Sequence, residues 1–88
     1  MVNPYIDTQL AKNKKIRLFD AWVNPMDLIW HQDKSDRKIT VLSGDGWLLQ
    51  MDNELPIKLI QNKSYNIPKK TYHRVLKGHT NLKLLIKE

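Results

Sequence analysis

The residues best equipped for chemistry in this sequence are His31, Asp33 and His73. In His31-Gln32-Asp33 an imidazole and a carboxylate are separated by one residue, a spacing that puts both on one face of a strand. His73 comes much later, in Tyr72-His73-Arg74-Val75, after a turn that opens at Asn66-Ile67-Pro68. A single pocket lined by these three residues is the expectation. Blander readings stand beside it. His31 and His73 serve equally well as hydrogen-bonded core histidines. Asp33 also reads as a loop residue paired with Lys34 or Lys38. Arg37 reads as an ion-pair residue at the surface, and His79, next to Gly78, reads as a turn residue. The chain has no cysteine, no Gly-rich phosphate loop and no Gly-x-Ser-x-Gly elbow. With no plausible nucleophile beside the histidines, these absences argue against a triad hydrolase.

Strands must position these groups, because strand signals dominate the chain. Short runs rich in β-branched and aromatic residues span Ile16–Trp22, Asp27–His31, Lys38–Ser43, Trp47–Asp52, Leu55–Ile60, Ser64–Ile67, Tyr72–Leu76 and Leu82–Lys87. Turn residues separate them: Asn24-Pro25, Ser43-Gly44-Asp45-Gly46, Asp52-Asn53, Asn62-Lys63, Pro68-Lys69-Lys70 and Lys77-Gly78. No segment holds a helical period. The regular spacing predicts one all-β domain over residues 15–88, a small barrel or sandwich of about eight antiparallel strands with little or no helix. Residues 1–14 are polar and poorly patterned, and read as a tail or arm. Alternation places Asp27, Ile29 and His31 on one face, with Leu28 and Trp30 on the other. Trp47, Leu49 and Met51 likewise oppose Leu48. Several strands are thus apolar on both faces, more than one small barrel can bury. This predicts a homodimer, with residues such as Trp30 or Leu28, and the N-terminal arm, at the contact.

At this point the chain resembles the cupin family. Its first motif runs Gly, five residues, His-x-His, three or four residues, Glu, six residues, Gly. Here those positions hold Pro25, His31, Asp33, Arg37 and Gly44. The second runs Gly, five residues, Pro-x-Gly, two residues, His, three residues, Asn, and here reads Asn62, Pro68, Lys70, His73 and Lys77. The resemblance covers about residues 16–87 and implies a small β-barrel, often dimeric. It also implies a metal site at His31, Asp33 and His73. Two imidazoles and a carboxylate form a facial triad competent for iron, manganese, nickel or zinc. Arg37 departs from the pattern by placing a cation where the family has a glutamate. At intermediate screening that charge repels a dication by about 1–4 kcal/mol. Arg37 is also a natural bidentate partner for Asp33 or Asp36, and a pair closed on Asp33 would break the triad.

Composition narrows the partners. Residues 1–54 carry a net charge of −1 and residues 55–88 a net of +7, together the overall +6. An anionic partner suits the basic half, as does a plain lysine-rich surface. The lysines are scattered and no aromatic-interleaved basic strand appears, which argues against nucleic acid. No apolar run approaches the roughly 18 residues of a membrane span, and the N-terminus lacks a secretory pattern, so the default expectation is a cytoplasmic protein. Two function classes remain. One is a non-catalytic binding module for a small anionic or sugar-like ligand. Its pocket is polar at the bottom (His31, Asp33, Arg37, His73) and walled by Trp47, Tyr65 or Tyr72. The other is a metal-dependent enzyme of oxygenase or isomerase type, in which His31, Asp33 and His73 leave coordination positions open.

Overall fold

The computed structural model describes residues 3–88. Its strands are β1 (Tyr5–Ala11), β2 (Lys14–Phe19), β3 (Arg37–Ser43), β4 (Leu48–Met51), β5 (Ile57–Lys58), β6 (Ser64–Ile67), β7 (His73–Leu76) and β8 (Leu82–Lys87), with one 3-10 turn at Pro25–Asp27. They form two antiparallel sheets that close on each other. The larger has the order β1-β2-β8-β3-β6 and the smaller β5-β4-β7. Strict alternation builds the core. Leu82, Leu84 and Ile86 of β8 point inward with Ile39 and Val41 of β3, and all five are buried. Each such side chain is worth roughly 1.5–3 kcal/mol of burial. The all-β expectation holds, including the near absence of helix.

Two segments differ from expectation. Residues 1–14, read as a tail or arm, contain the edge strand β1; residues 1 and 2 of that segment lie outside the described residues. Lys12 and Asn13 turn the chain back, and the ladder runs from Tyr5↔Phe19 to Ala11↔Lys14 with a bulge near Gln9. Side-chain partners hold it in place. Tyr5 meets Phe19 edge-on at 5.5 Å, and Asp7 faces Arg17 across the ladder. The second difference is Asp27–His31, which is not a strand. Asn24 caps the 3-10 turn, its Oδ1 accepting from Met26 N at 3.0 Å, and Pro25 begins it. A capped turn opened by proline overrides a five-residue alternation. Leu28 is therefore buried in the core and not available to a partner chain, while Ile29 is exposed and Trp30 partly so under the Arg74 guanidinium. His31 touches a sheet only through one bridge to His73.

Strand ends also moved for local reasons. Strand β2 stops at Phe19 because Asp20 Oδ1 accepts from Trp22 N at 2.8 Å, turning the chain. The run Leu55–Ile60 keeps only Ile57–Lys58 as β5, since Pro56 brings no N–H to a ladder.

Candidate metal centre

His31 and His73 are held together by their backbones. His31 N donates to His73 O at 3.0 Å and His73 N to His31 O at 2.9 Å, so the rings lie 4.2 Å apart. Each ring is then oriented by the carbonyl two residues before it. Nδ1 of His73 lies 2.8 Å from Thr71 O, and Nδ1 of His31 lies 3.2 Å from Ile29 O. A carbonyl can only accept, so each Nδ1 carries a proton. In the neutral rings the Nε2 lone pairs are left to face the site. His73 is buried at 4% exposure, and His31 is the more open of the two. Burial pushes the His73 imidazole down. The Thr71 carbonyl opposes this in part, and the net lies below the ordinary histidine value. His73 is therefore neutral at pH 7, the form that coordinates a metal.

Asp33 completes the group. Its Oδ1 meets Arg37 Nη1 at 3.1 Å, while Oδ2 lies 3.4 Å from His73 Nε2. Oδ2 is buried without a hydrogen-bond partner. A buried carboxylate oxygen facing the lone pair of a neutral imidazole is two acceptors with no proton between them. Leaving such a group unsatisfied costs about 1–3 kcal/mol or more, and a cation between the two removes the conflict. Ligand atoms from His31, Asp33 and His73 all lie within 4.8 Å of one another, so the three residues fit a metal ion. The loop carrying Asp33 is clasped by the β6–β7 loop. Lys70 N donates to Asp33 O at 2.7 Å, and Lys69 N to Asp36 Oδ1 at 2.8 Å.

Arg37 does not close on Asp33. It takes one oxygen only and turns its other edge to Glu88, with Nε at 3.0 Å and Nη2 at 2.9 Å from Oε1. Asp36 accepts from Lys69 and does not pair with Arg37. The cation at this position is thus shared between two carboxylates, and Asp33 Oδ2 stays free.

His31, His73 and Arg37, but not Asp33, border a cavity of about 460 Å³ between the sheets, a size typical of small-molecule sites. Its wall corrects the expected one. Trp47 is wholly buried in the core, tilted against Phe19, with Nε1 donating to Thr80 O at 2.7 Å. The Tyr65 hydroxyl is consumed by Ile60 N and Lys58 O, both at 2.9 Å, and Tyr72 is half exposed. None of the three borders the cavity. Its wall is formed instead by Phe19, Leu28, Ile39, Leu49, Ile67, Val75, Leu84 and Ile86, with Tyr5 and Arg17. Arg17, 7% exposed, was missed. The signal was present in Arg17-Leu18-Phe19, where period two puts the arginine on the same face as a core phenylalanine.

Solved structures share this architecture at low identity. A cupin domain from Bordetella pertussis superposes with TM-score 0.65 at 20% identity, covering 100% of this chain and 96% of its own. An RmlC-like cupin family protein with a double-stranded β-helix fold, from Methanocaldococcus jannaschii, gives TM-score 0.66 at 10% identity, over 97% of this chain and 79% of that one. The fold is that of the cupin superfamily. A chain from the crystal structures of the DMSP lyases RdDddP and RnDddQII gives TM-score 0.71 at 15% identity. There the match covers 83% of this chain and only 35% of the other. No protein-family model matches the sequence, and no curated protein does.

The cupin fold explains how departures from the motifs are absorbed. Asn62 and Lys70 stand at glycine positions of the second motif, and both adopt the left-handed conformation, with φ of 70° and 59°. The backbone shape survives where the residue type does not. Asparagine tolerates that conformation, whereas lysine holds it at a cost.

Proposed function

We propose that this cupin domain binds a divalent metal ion through Nε2 of His31, Nε2 of His73 and Oδ2 of Asp33, beside a cavity that receives a small molecule. The observation that supports this most is the buried Asp33 Oδ2, unpartnered and 3.4 Å from the His73 lone pair. Two nitrogens and one oxygen suit iron, manganese, nickel or zinc. An anionic group on the small molecule fits a cavity bordered by two arginines, Arg17 and Arg37. Three protein ligands leave coordination positions open, which favours an oxygenase or isomerase type of enzyme over a purely structural ion. A bound metal would act there as a Lewis acid. The protein would exclude water with its apolar wall and hold the ligand-bearing loop through the Lys70 clasp.

Elemental analysis of purified, untagged protein, then titration with ferrous, nickel and zinc ions, tests the reading. Near-stoichiometric metal, lost in Asp33→Asn and in His73→Gln, is the expected result. Protein that takes up none of these ions at micromolar concentration would refute it.

We also propose that a second copy covers the outer face of the larger sheet. Ile6 and Leu10 are 71% and 51% exposed there, beside half-buried Ile16, Leu18 and Leu85 on the same face. Strand β1 leaves its far edge unpaired among the described residues, and a continuous apolar face of this kind favours self-association. Sedimentation at micromolar concentration should show a species of twice the chain mass, and Ile6→Glu/Leu10→Glu should return it to monomer. A wild type that sediments as monomer removes the proposal.

A further inference from the structure

We infer that the molecule accepted by the cavity is an apolar carboxylate, and that Arg17, not Arg37, receives its carboxylate group. The inference rests on the cavity being the ligand site, as proposed above. Arg37 directs all three of its nitrogens to Asp33 and Glu88. Arg17 gives Nε and Nη2 to Asp7, at 2.8 Å and 2.9 Å, and nothing else. Its Nη1 has no partner among the described residues, yet it is not sealed off from solvent. Arg17 borders the cavity, and Nη1 is its one nitrogen not committed to Asp7.

The donor is held ready. Asp7 fixes the plane of the guanidinium from the neighbouring strand, and the Tyr5 ring stacks against it with its centroid 3.6 Å from Cζ. A donor fixed in advance loses little freedom when an anion arrives. Lys15 shares the Asp7 carboxylate at 3.4 Å and also lies 3.9 Å from Glu88, so Asp7 is not committed to Arg17 alone. Among the residues bordering the cavity the only carboxylate is Asp27, which is exposed at its rim.

The remaining wall sets the body of the ligand. Phe19, Leu28, Ile39, Leu49, Leu84 and Ile86 present hydrocarbon. A sugar would bury hydroxyls against that wall without partners, at a cost for each. A short alkyl or aryl chain would gain from the same surface. Arg17 lies on β2 of the larger sheet and His73 on β7 of the smaller. The carboxylate anchor and the metal group therefore approach the ligand from opposite sheets.

Calorimetric titration with hexanoate and with hexanamide, on chelator-treated and on zinc-loaded protein, tests this. In wild type the acid should bind at least about tenfold more tightly than the amide, a difference of about 1.4 kcal/mol, in both metal states. The double variant Asp7→Asn/Arg17→Gln removes the charges as a pair and keeps a neutral cross-strand partner, so that no buried ion is orphaned. With its fold confirmed by circular dichroism, it should bind acid and amide alike. Equal binding of acid and amide by the wild type, no binding of hexanoate at millimolar concentration, or a preference that survives the double variant each overturns the inference. A preference seen only with zinc places the carboxylate on the metal, which overturns the inference and leaves the metal reading intact. A preference in protein that takes up no metal does the reverse.

Discussion

Asp7 and Asp33 each pair with an arginine that borders the cavity, but by different routes. Asp7 and Arg17 face each other across an antiparallel ladder, and that register lets both carboxylate oxygens find a nitrogen, at 2.8 Å and 2.9 Å. Asp33 and Arg37 are four residues apart along one chain, on a loop leading into a strand, and only one oxygen is reached. Glu88 draws the rest of Arg37 away. The first carboxylate is satisfied through both oxygens; the second leaves a buried oxygen 3.4 Å from His73. Lys15 stands between them, 3.4 Å from Asp7 and 3.9 Å from Glu88, so the two pairs end one alternating row of charges. The same two residue types thus yield one carboxylate held through both oxygens and one with an oxygen left free, and what separates them is how many oxygens the backbone lets the arginine reach.

Exchanging the two carboxylates for amides gives the largest separation. Asp33→Asn should weaken metal binding at least about a hundredfold, beyond the 10–100-fold typical of losing a supporting partner, with little loss of metal-free stability. Asp7→Asn should leave metal affinity unchanged and lower stability by about 1–2 kcal/mol. Solvent screening of the partly exposed Asp7 carboxylate keeps this loss small. Metal titration and urea denaturation of both variants check this; a metal defect in Asp7→Asn would erase the distinction between the pairs.

Arg37 tests the poised pair from the cationic side. Its charge opposes a dication, and Glu88 offsets part of that. Arg37→Gln should therefore raise metal affinity by about tenfold, near the lower end of the 1–4 kcal/mol range for such a repulsion. Lower affinity in this variant would mean that Arg37 mainly orients Asp33.

Acid should undo the closed pair. Burial pushes the Asp7 carboxyl up, but the hydrogen bond and charge of Arg17, with Lys15, outweigh this and hold it below its ordinary value. A carboxyl lowered on folding binds fewer protons in the native state than in the unfolded one, so stability rises with pH across the gap. The contribution is complete above the unfolded value near 4 and fades as pH falls through the lowered one. Denaturation curves of wild type and Asp7→Asn should thus differ at pH 6 and converge toward pH 2. A gap that persists at pH 2 would assign it to packing.

Much of this was legible in the sequence, for reasons tied to particular residues. Leu82, Leu84 and Ile86 alternate cleanly because one face of β8 is wholly buried; His31 and Asp33 do come together with His73, but from a loop and not from one face of a strand as their spacing suggested. Strand β1 was not legible, because its inward positions hold Asp7 and Gln9, which break the apolar pattern. Their partners, Arg17 and the chain's own carbonyls at the β1–β2 turn, become visible only once the strands are paired. The cavity wall failed similarly. Trp47 shares a face with Leu49 and Met51, but alternation fixes a face and not a depth, and the indole lies in the core with Phe19. Pairing of Asp33 with Arg37 was legible, whereas the division of Arg37 between two carboxylates depends on Glu88, fifty-one residues away in sequence.

The smallest effect concerns the clasp that holds Asp33. Lys70 adopts φ of 59° so that its N–H can reach Asp33 O at 2.7 Å. A left-handed conformation costs a residue with a Cβ about 1–2 kcal/mol. Glycine removes that cost but enlarges the unfolded ensemble, returning about 0.5–1 kcal/mol. Lys70→Gly should therefore stabilise the fold by about 0.5 kcal/mol, or about 2–4 °C in Tm for a domain of this size. Asn62→Gly, at φ of 70°, should change stability less, because asparagine already tolerates the conformation. Lys70→Ala keeps the Cβ and should behave like wild type. Metal affinity should be unchanged in all three, since the clasp is made by the backbone. A fall in Tm for Lys70→Gly would mean that the lysine side chain contributes more to this loop than its backbone conformation costs, and the poised carboxylate would then depend on a side chain as well as on the clasp.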